Sequence, residues 1–388
     1  MMSYSLIENA RLLTGQGIQR QQLLIGMGRI LAIGEDLSAP ALQPCQRFDA
    51  GDRLLAPGLI DQHVHLIGGG GEAGFHTRTP EVQLSQLLRS GITSVMGLLG
   101  TDGVTRHVQS LFAKVMGLRN EGISAWMLTG SYQVPTITVT GSICDDITFI
   151  EPILGVKTAI SDHRSSQPSC EALIHIATQA RAAALLTQKP GLVVMHMGNA
   201  QAALTPLEEI RDRCEVPLGH FLPTHVNRQR HLWRHAMRLA RQDGVNLDLT
   251  SGISPHLGAR GAVKPSEAIL EALDEGIPLA QLTLSSDGNG SIPAFDQAGN
   301  ICGMAVAGFG SLLDEVRDLS GELPLEQCWA LVASNVAQRL KLQDKGEISV
   351  GKDADLLLLD DALQPCSLWA KGRLMLHNAE PLVRGTFE

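Results

Sequence analysis

The sequence predicts an α/β protein in which a (β/α)8 TIM-like barrel carries a small β-sandwich domain built from both chain termini. Two observations predict this architecture. Between residues 57 and 342, short apolar runs alternate with helical stretches, which is the pattern of repeated βα units. At both ends of the chain, strand-like runs too short to form a core alone are separated by turns. We therefore expect residues 1–56 and 343–388 to form the β-sandwich and residues 57–342 to form the barrel.

The barrel prediction rests on eight apolar runs in the central region. The predicted strands are Leu59 to His65, Thr93 to Leu99, Ala125 to Thr129, Val156 to Ile160, Leu192 to Met197, Phe221 to Val226, Asn246 to Thr250 and Leu282 to Ser286. Predicted helices between them include Pro80 to Arg89, Thr105 to Asn120, Glu171 to Leu186 and Pro265 to Glu275. Catalytic groups of such barrels lie at or just past the C-terminal ends of the strands, so we expect a site there.

The composition limits the class of partner. The 388 residues carry a formal net charge of -9 without any basic run, which argues against nucleic acid or an anionic membrane as the main partner. Seven dispersed cysteines with no Cys-x-x-Cys pair predict free thiols and a cytoplasmic protein. No signal-peptide pattern and no membrane-spanning apolar run is visible.

Two histidines close the first predicted strand. Because side chains on a strand alternate between its faces, His63 and His65 point to the same side. Neutral imidazoles are common zinc ligands, so the pair predicts a metal site, although two polar residues on a half-exposed strand are an alternative. Asp61, on the same face, is expected to support the histidines or to add a ligand. Glycines 68–71 then allow the backbone to approach a ligand closely.

Later strands end in further candidate ligands. His196 closes the fifth predicted strand, His225 closes the sixth and Asp287 ends the eighth. Polar side chains buried together without partners would each cost about 1–3 kcal/mol, which favours a shared ligand over simple packing.

Lys157 lies inside the apolar fourth predicted strand. A strand lysine commonly packs its stem and extends its amine to solvent. The alternative is a desolvated lysine near a divalent metal, which loses its proton and becomes a nucleophile. If that amine captured carbon dioxide, the resulting carbamate could bridge two ions.

Over its whole length the sequence resembles the amidohydrolase superfamily and, within it, the isoaspartyl (β-aspartyl) dipeptidase family. The His-x-His pair with Asp287 is shared by the superfamily. The motifs that speak for the dipeptidases are the glycine run 68–71 ending in Glu72, Ile160-Ser161-Asp162-His163-Arg164, and Pro223-Thr224-His225-Val226-Asn227-Arg228.

The resemblance implies a binuclear zinc centre. It assigns the first ion to His63, His65 and Asp287, the second to His196 and His225, and the bridge to carboxylated Lys157 and a hydroxide. Asp287 would take the proton from the attacking hydroxide and pass it to the leaving amine. Tyr132, in the loop after the third strand, would donate to the developing oxyanion. The family resemblance also implies a homo-oligomer, an octamer.

The same resemblance implies how a β-aspartyl dipeptide is recognised. Such a substrate presents one ammonium and two carboxylates near the scissile bond. Glu72 would bind the ammonium, and Arg164 and Arg228 would bind the carboxylates, although a surface ion pair is the alternative for each arginine. The other implied substrate contacts are Tyr132, Ser291 and the backbone around Gly70 and Thr101.

Two other function classes remain open. A cyclic-amide hydrolase of the dihydroorotase or hydantoinase kind would use the same metal residues, but a compact ureide gives little reason for Glu72 beside two arginines. A catalytically inactive scaffold would be expected to have lost ligands, and none is missing. The loop Ser251 to Lys264 is longer than expected for the family, so the preferred leaving residue stays open.

Overall fold

The computed structural model describes residues 4–38, 44–295 and 301–388, so residues 1–3 and 39–43 of the predicted sandwich domain lie outside the described part. The strands are β1 Tyr4–Thr14, β2 Gly17–Gly26, β3 Arg29–Gly34, β4 Cys45–Asp49, β5 Leu54–Pro57, β6 Leu59–Val64, β7 Ile92–Gly97, β8 Ser124–Gly130, β9 Ile153–Ile160, β10 Leu192–Met197, β11 Phe221–Thr224, β12 Leu247–Thr250, β13 Leu282–Ser285, β14 Ser291–Phe295, β15 Ile301–Val306, β16 Leu356–Leu359, β17 Pro365–Ala370, β18 Arg373–His377 and β19 Glu380–Pro381. The α-helices are α1 Leu84–Arg89, α2 Val108–Glu121, α3 Ile143–Phe149, α4 Cys170–Thr187, α5 Thr205–Arg213, α6 Arg230–Asp243, α7 Pro265–Asp274, α8 Ser311–Leu319, α9 Leu325–Ala330 and α10 Ser334–Arg339.

The predicted (β/α)8 barrel is confirmed. Strands β6 to β13 form an eight-stranded parallel sheet in sequence order. Its two edges meet where Val64 forms a parallel bridge with Gly288 and the His65 amide donates to the Gly288 carbonyl at 2.9 Å. Strand β11 stops at Thr224, two residues earlier than predicted, because His225 adopts a left-handed backbone (φ 62°) that ends the extended run.

Apolar side chains pack on both faces of the barrel sheet. The strands are buried on both faces, as expected for a parallel sheet covered by helices. One cluster packs the strands against the helices, and a second takes alternate side chains, for example Ile60 instead of Leu59. Val336 of α10, and Leu340 just after it, join the second cluster. Buried polar side chains, among them His63 and His196, lie near the C-terminal ends of their strands.

Both chain ends contribute to one nine-stranded sheet, in agreement with the predicted terminal domain. Its order is β19-β18-β17-β16-β5-β1-β2-β3, and β4 pairs with β1. The antiparallel pair β5–β16, with Ala56 opposite Leu357, joins the two ends. A separate apolar core contains residues such as Leu12, Ile25 and Leu356. The domain limits at residues 56/57 and 342/343 stay a prediction.

The sequence did not lead us to expect the hairpin β14–β15, which follows Asp287 and pairs Ser291 with Val306. Among the described residues, no helix combines the length and the apolar character needed to cross a membrane.

Candidate active site

The predicted metal ligands converge at the C-terminal end of the barrel. They are His63 on β6, His65 just after it, Lys157 on β9, His196 on β10, His225 after β11 and Asp287 after β13. The four histidines and Lys157 are buried, and the Asp287 side chain keeps 17 % exposure. His225 and Asp287 have positive φ angles of 62° and 54°, an uncommon conformation for these residue types that turns the chain at the rim.

Three predicted ligands form a tight group. Potential ligand atoms of His63, His225 and Asp287 lie within 4.8 Å of one another, so they could hold a metal ion. The Nε2 atom of His65 lies 3.1 Å from Asp287 Oδ1, on the edge of this group. Lys157 Nζ lies 3.1 Å from His63 Nε2.

The neighbouring imidazole of His196 has polar partners at both ring nitrogens. Its ring centroid lies 4.8 Å from that of His225. Its Nε2 lies 2.9 Å from Asp162 Oδ2, and the guanidinium nitrogens Arg164 Nη2 and Arg228 Nη1 lie 3.2 and 3.1 Å from the same atom. The other nitrogen, Nδ1, lies 2.6 Å from the Tyr132 hydroxyl. His196 thus connects the histidine group to Tyr132, Asp162 and the two arginines.

Burial favours the neutral form of these nitrogen groups. Desolvation lowers the pKa of His63, His196 and His225 well below the ordinary histidine value. Desolvation also lowers the pKa of Lys157 to about 7. Lys157 is fully buried, so the solvent-directed alternative considered for it is wrong.

The predicted substrate-binding residues line a single cavity of about 350 Å³ beside the metal ligands. They are Gly70, Glu72, Thr101, Tyr132, Arg164, Arg228 and Ser291, and His65, His196, His225 and Asp287 line the same cavity. A cavity of this size falls within the range of small-molecule sites.

Both oxygens of the Glu72 carboxylate are anchored. Oε1 accepts hydrogen bonds from Thr101 Oγ1 at 3.1 Å and Arg164 Nη1 at 3.3 Å. Oε2 accepts one from Ser291 Oγ at 3.3 Å. The second arginine, Arg228, donates through Nη1 to the Met197 carbonyl at 2.6 Å.

Tyr132 is buried above His196. Burial raises the pKa of its hydroxyl, so the group stays protonated. The Arg164 guanidinium lies over its ring, 5.5 Å from the centroid. The protonated hydroxyl of Tyr132 thus lies beside His196, on a side chain that lines the cavity.

Sequence reasoning missed Asp162, which links two functional side chains. Its carboxylate accepts hydrogen bonds from Arg164 Nε at 3.0 Å and Nη2 at 2.8 Å, in addition to the contact with His196. Burial opposes its ionisation, but the hydrogen bonds from His196 and Arg164 hold its pKa well below the ordinary aspartate value. The Asp-x-Arg spacing directly after a strand was the sequence feature that could have indicated this role.

Asp61 supports the site without joining the group of ligand atoms. Its carboxylate accepts hydrogen bonds from the Ser286 hydroxyl, from the Ser286 amide at 3.2 Å and from the His63 amide at 3.3 Å. Burial raises its pKa to about 7. We expected Asp61 either to support the histidines or to add a metal ligand, and this geometry agrees with the first expectation.

A profile of the amidohydrolase family matches residues 54–382, and the chain belongs to that family. It is a hydrolase by class, and the described residues include a group of side chains that could hold a metal ion. The crystal structure of a β-aspartyl dipeptidase from Fervidobacterium islandicum AW-1, in complex with a β-Asp-Leu dipeptide, is 36 % identical with a TM-score of 0.88. The match covers 97 % of this chain and 98 % of that one, which confirms the predicted resemblance to the isoaspartyl dipeptidases.

More distant relatives share the fold. An imidazolonepropionase from Stenotrophomonas maltophilia is 24 % identical over 395 residues, covering 92 % of this chain and 91 % of that protein. The crystal structure of a D-hydantoinase is 18 % identical with a TM-score of 0.70, covering 99 % and 97 % of the two chains. Sequence identities this low indicate a common architecture and do not indicate a shared substrate.

Proposed function

We propose that the chain is a metallo-dipeptidase that hydrolyses β-aspartyl (isoaspartyl) dipeptides at a binuclear zinc centre. The observation that carries the proposal is one cavity that combines metal-ligand side chains with an anchored carboxylate, Glu72, and two guanidinium groups, Arg164 and Arg228. These charges match the ammonium and the two carboxylates of the substrate. The 36 % identity to a β-aspartyl dipeptidase supports the same substrate class.

The donor set fits zinc. Neutral imidazoles and carboxylates are ordinary zinc ligands, and burial keeps these histidines neutral. We infer that His63, His65 and Asp287 would hold one ion, that His196 and His225 would hold the other, and that carboxylated Lys157 would supply anionic ligand oxygens. Two adjacent zinc ions would lower the pKa of a bound water and polarise the scissile carbonyl.

Carboxylation would replace an unfavourable positive charge at Lys157 by a negative one. Its Nζ is fully buried, faces His63 Nε2 at 3.1 Å and has no carboxylate within 4.0 Å among the described residues. An ammonium there would repel a cation held by the same histidine. A carbamate instead presents two anionic oxygens to the ligand group.

Asp287 and Tyr132 are the proposed catalytic residues. The Asp287 carboxylate borders both the histidines and the cavity, so we infer that it takes the proton of the attacking water and passes it to the leaving amine. The Tyr132 hydroxyl, kept protonated by burial, would donate a hydrogen bond to the carbonyl oxygen as negative charge develops there.

Recognition would follow from the fixed charges. Glu72, held by Thr101 and Ser291, would bind the ammonium of the aspartyl group. Arg164 and Arg228 would bind the carboxylates. Gly70 would add a backbone contact. Its φ is positive, at 73°, and a Cβ at this position would lie 2.5 Å from the Thr77 carbonyl oxygen, so only glycine fits there.

We also propose that the enzyme is cytoplasmic and assembles as a homo-oligomer, an octamer by family resemblance. The dispersed cysteines and the acidic net charge of -9 agree with a cytoplasmic enzyme that acts on small peptides, not on nucleic acid or membranes. Size-exclusion chromatography with light scattering would test the assembly.

A substrate panel tests the function. The zinc-loaded protein should hydrolyse β-Asp-Leu and leave α-Asp-Leu, hydantoin and dihydroorotate unchanged or nearly so. Hydrolysis of a cyclic amide in place of the dipeptide would favour the dihydroorotase or hydantoinase class. A protein that holds zinc and turns over none of these compounds would favour the inactive scaffold.

A further inference from the structure

A second cavity, of about 280 Å³, lies at the end of the barrel opposite the metal ligands. Its lining includes Leu192, the first residue of β10, and His220, which directly precedes β11. The candidate metal ligands His196 and His225 lie toward the other ends of the same two strands. Among the described residues, none that we assign to the candidate active site lines this second cavity, so the two features are separate.

Three cationic side chains meet in this cavity. They are Arg181 from α4, Arg339 at the end of α10 and Lys341 just after that helix. In the described part of the chain, no aspartate or glutamate lines the cavity. This local excess of positive charge is opposite in sign to the formal net charge of -9 of the whole chain. We name the feature the basic cavity, and its charge favours an anionic ligand.

Arg339 is the cation that the protein compensates least. Its Nη2 donates to the side-chain oxygen of Asn246, and its Nε is buried without a hydrogen-bond partner in the described residues. Burial lowers the pKa of this guanidinium to about 10. A buried donor without a partner is unfavourable, and the cost is larger when the group is charged. An anion in the basic cavity would supply the negative charge that the lining does not provide.

Neutral groups hold the other two cations. His220 Nδ1 lies 3.2 Å from the Gly191 carbonyl, and because a carbonyl only accepts hydrogen bonds, Nδ1 carries the proton. The other ring nitrogen, Nε2, then accepts from Arg181 Nη1 at 2.6 Å. Burial lowers the pKa of His220, and the nearby Arg181 and Lys341 lower it further, which favours the neutral imidazole. Lys341 Nζ donates to the Lys189 carbonyl at 3.2 Å. These contacts orient the cations without cancelling their charge.

The remaining lining includes aliphatic side chains. Leu185 of α4 lies beside Pro190 and Pro217 in the basic cavity, and Leu185 is 67 % exposed. A single exposed leucine needs no explanation. Here it shares a small cavity with two prolines from other segments, and apolar groups next to fixed charges are typical of sites for organic ligands. The basic cavity could therefore hold both an anionic group and a small organic part.

We propose that the basic cavity binds a small phosphate monoester, with its phosphate held by Arg181, Arg339 and Lys341 and its organic part against the aliphatic side chains. A phosphate monoester carries close to two negative charges and three strong acceptor oxygens, which match three cations. A carboxylate offers one charge and two oxygens and would leave one cation without a partner. The proposal does not depend on the proposed function, because the basic cavity shares no residue with the candidate active site.

Isothermal titration calorimetry of the zinc-loaded protein with inorganic phosphate and with phenyl phosphate tests the proposal. Arg181→Gln and Lys341→Gln should each weaken phosphate binding about 10-fold or more, because each removes a charge-assisted hydrogen bond. Neither side chain is fully buried, so both variants should keep the fold. Arg234→Gln is the matched control, because Arg234 is an exposed arginine of α6 that does not line the basic cavity.

The variants also locate the bound phosphate, because phosphate held at the zinc ions would not respond to them. Unchanged affinity in both Arg181→Gln and Lys341→Gln, or no binding of either phosphate compound by the wild type, would overturn the proposal. Phenyl phosphate should bind about 3-fold or more tightly than inorganic phosphate, because its ring covers aliphatic surface. Equal affinity of the two compounds would refute the role given to the aliphatic side chains. Succinate, a dicarboxylate, should bind about 10-fold more weakly than phenyl phosphate, and equal binding of succinate would refute the phosphate class.

Discussion

Two buried polar clusters lie inside the same barrel and differ in how their hydrogen bonds are completed. The first surrounds Asp248 of β12. Its Oδ1 accepts hydrogen bonds from Gln62 at 2.7 Å and Thr283 at 2.9 Å, and its Oδ2 accepts them from Thr224 at 2.7 Å and Ser285 at 2.6 Å. Side chains of the protein thus satisfy both oxygens of this carboxylate, and Gln62 Oε1 is the cluster atom left without a partner in the described residues.

The second cluster is the ligand group around Lys157. Nζ of this lysine faces a histidine nitrogen, and the buried Nδ1 of His65 has no hydrogen-bond partner in the described part of the chain. Proteins rarely leave buried polar groups unsatisfied without a functional reason. The comparison teaches that burial alone does not identify a functional site. Several adjacent potential ligand atoms that the protein does not saturate are a better indication, because together they can bind an external ligand.

The largest predicted effect follows from Lys157→Ala. We expect loss of one or both zinc ions and a fall in kcat/KM of about 10³-fold or more, because the bridging ligand disappears. Short carboxylic acids should partly restore activity by taking the place of the carbamate. Zinc analysis and steady-state kinetics measure both effects.

Lys345→Ala is the control, because Lys345 is also buried but donates to Asp355 at 2.5 Å and to Ser124 at 2.7 Å. This variant should lose stability and keep its zinc. Full zinc occupancy with normal turnover in Lys157→Ala would show that Lys157 does not bind the metal. The cluster around Lys157 would then not differ from the Asp248 cluster in function.

The sequence predicts the architecture and the ligand residues because their signals are local. Eight apolar runs define the barrel strands, and polar residues at the ends of those runs mark the site. The predicted limits are less accurate, since β9 begins at Ile153 and not at Val156, and α1 begins at Leu84 and not at Pro80.

Partnerships between distant residues could not be predicted in the same way. Asp248 receives hydrogen bonds from Gln62, 186 positions away, and Lys157 meets His63 across 94 positions. In the sequence both Asp248 and Lys157 are simply charged residues within apolar strands. Which of them is satisfied depends on the barrel closing, and only the assembled structure contains that information.

Arg228→Ala tests a third kind of charge, one that is half-buried. Arg164 is paired with Asp162 and Glu72, whereas Arg228 has no carboxylate within 4.0 Å among the described residues. We therefore expect Arg228 to bind the free α-carboxylate of the substrate. The variant should lose about 2–5 kcal/mol in kcat/KM for β-aspartyl dipeptides and keep its zinc.

The linkage isomer provides the control for Arg228. In an α-aspartyl dipeptide the carboxylate and the ammonium are displaced relative to the scissile bond, so Glu72 and Arg228 are out of register with them. The wild type should cleave α-aspartyl dipeptides poorly. Equal cleavage of both isomers, or unaltered kinetics of Arg228→Ala, would contradict this role.

A matched pair of threonine variants separates the two clusters directly. Thr283→Val and Thr224→Val each remove one hydroxyl donor to Asp248, so both should destabilise the protein by about 1–3 kcal/mol, measured by urea denaturation. Thr224 also lies 3.3 Å from His63 Nδ1, so its variant alone should weaken zinc binding, by about 10- to 100-fold. Equal zinc affinity in the two variants would mean that the clusters are energetically separate.

The smallest predicted effect concerns Glu315 on α8. The hydrogen bonding of this buried carboxylate is intermediate between that of the two clusters. It accepts a hydrogen bond from the Ser266 amide at 2.9 Å, at the start of α7, and burial raises its pKa to about 7 from the ordinary 4.5. Between these pH values the folded state keeps a proton that the unfolded state releases, so stability should fall as pH rises through this window. We expect a loss of about 1–2 kcal/mol from pH 5 to pH 8 relative to Glu315→Gln, which keeps a carbonyl acceptor but does not titrate. Urea midpoints measured across this range test the effect, with the exposed Glu322→Gln as control. Parallel curves for wild type and Glu315→Gln would show that Glu315 does not titrate in this window and that hydrogen bonds from Ser266 offset the effect of burial.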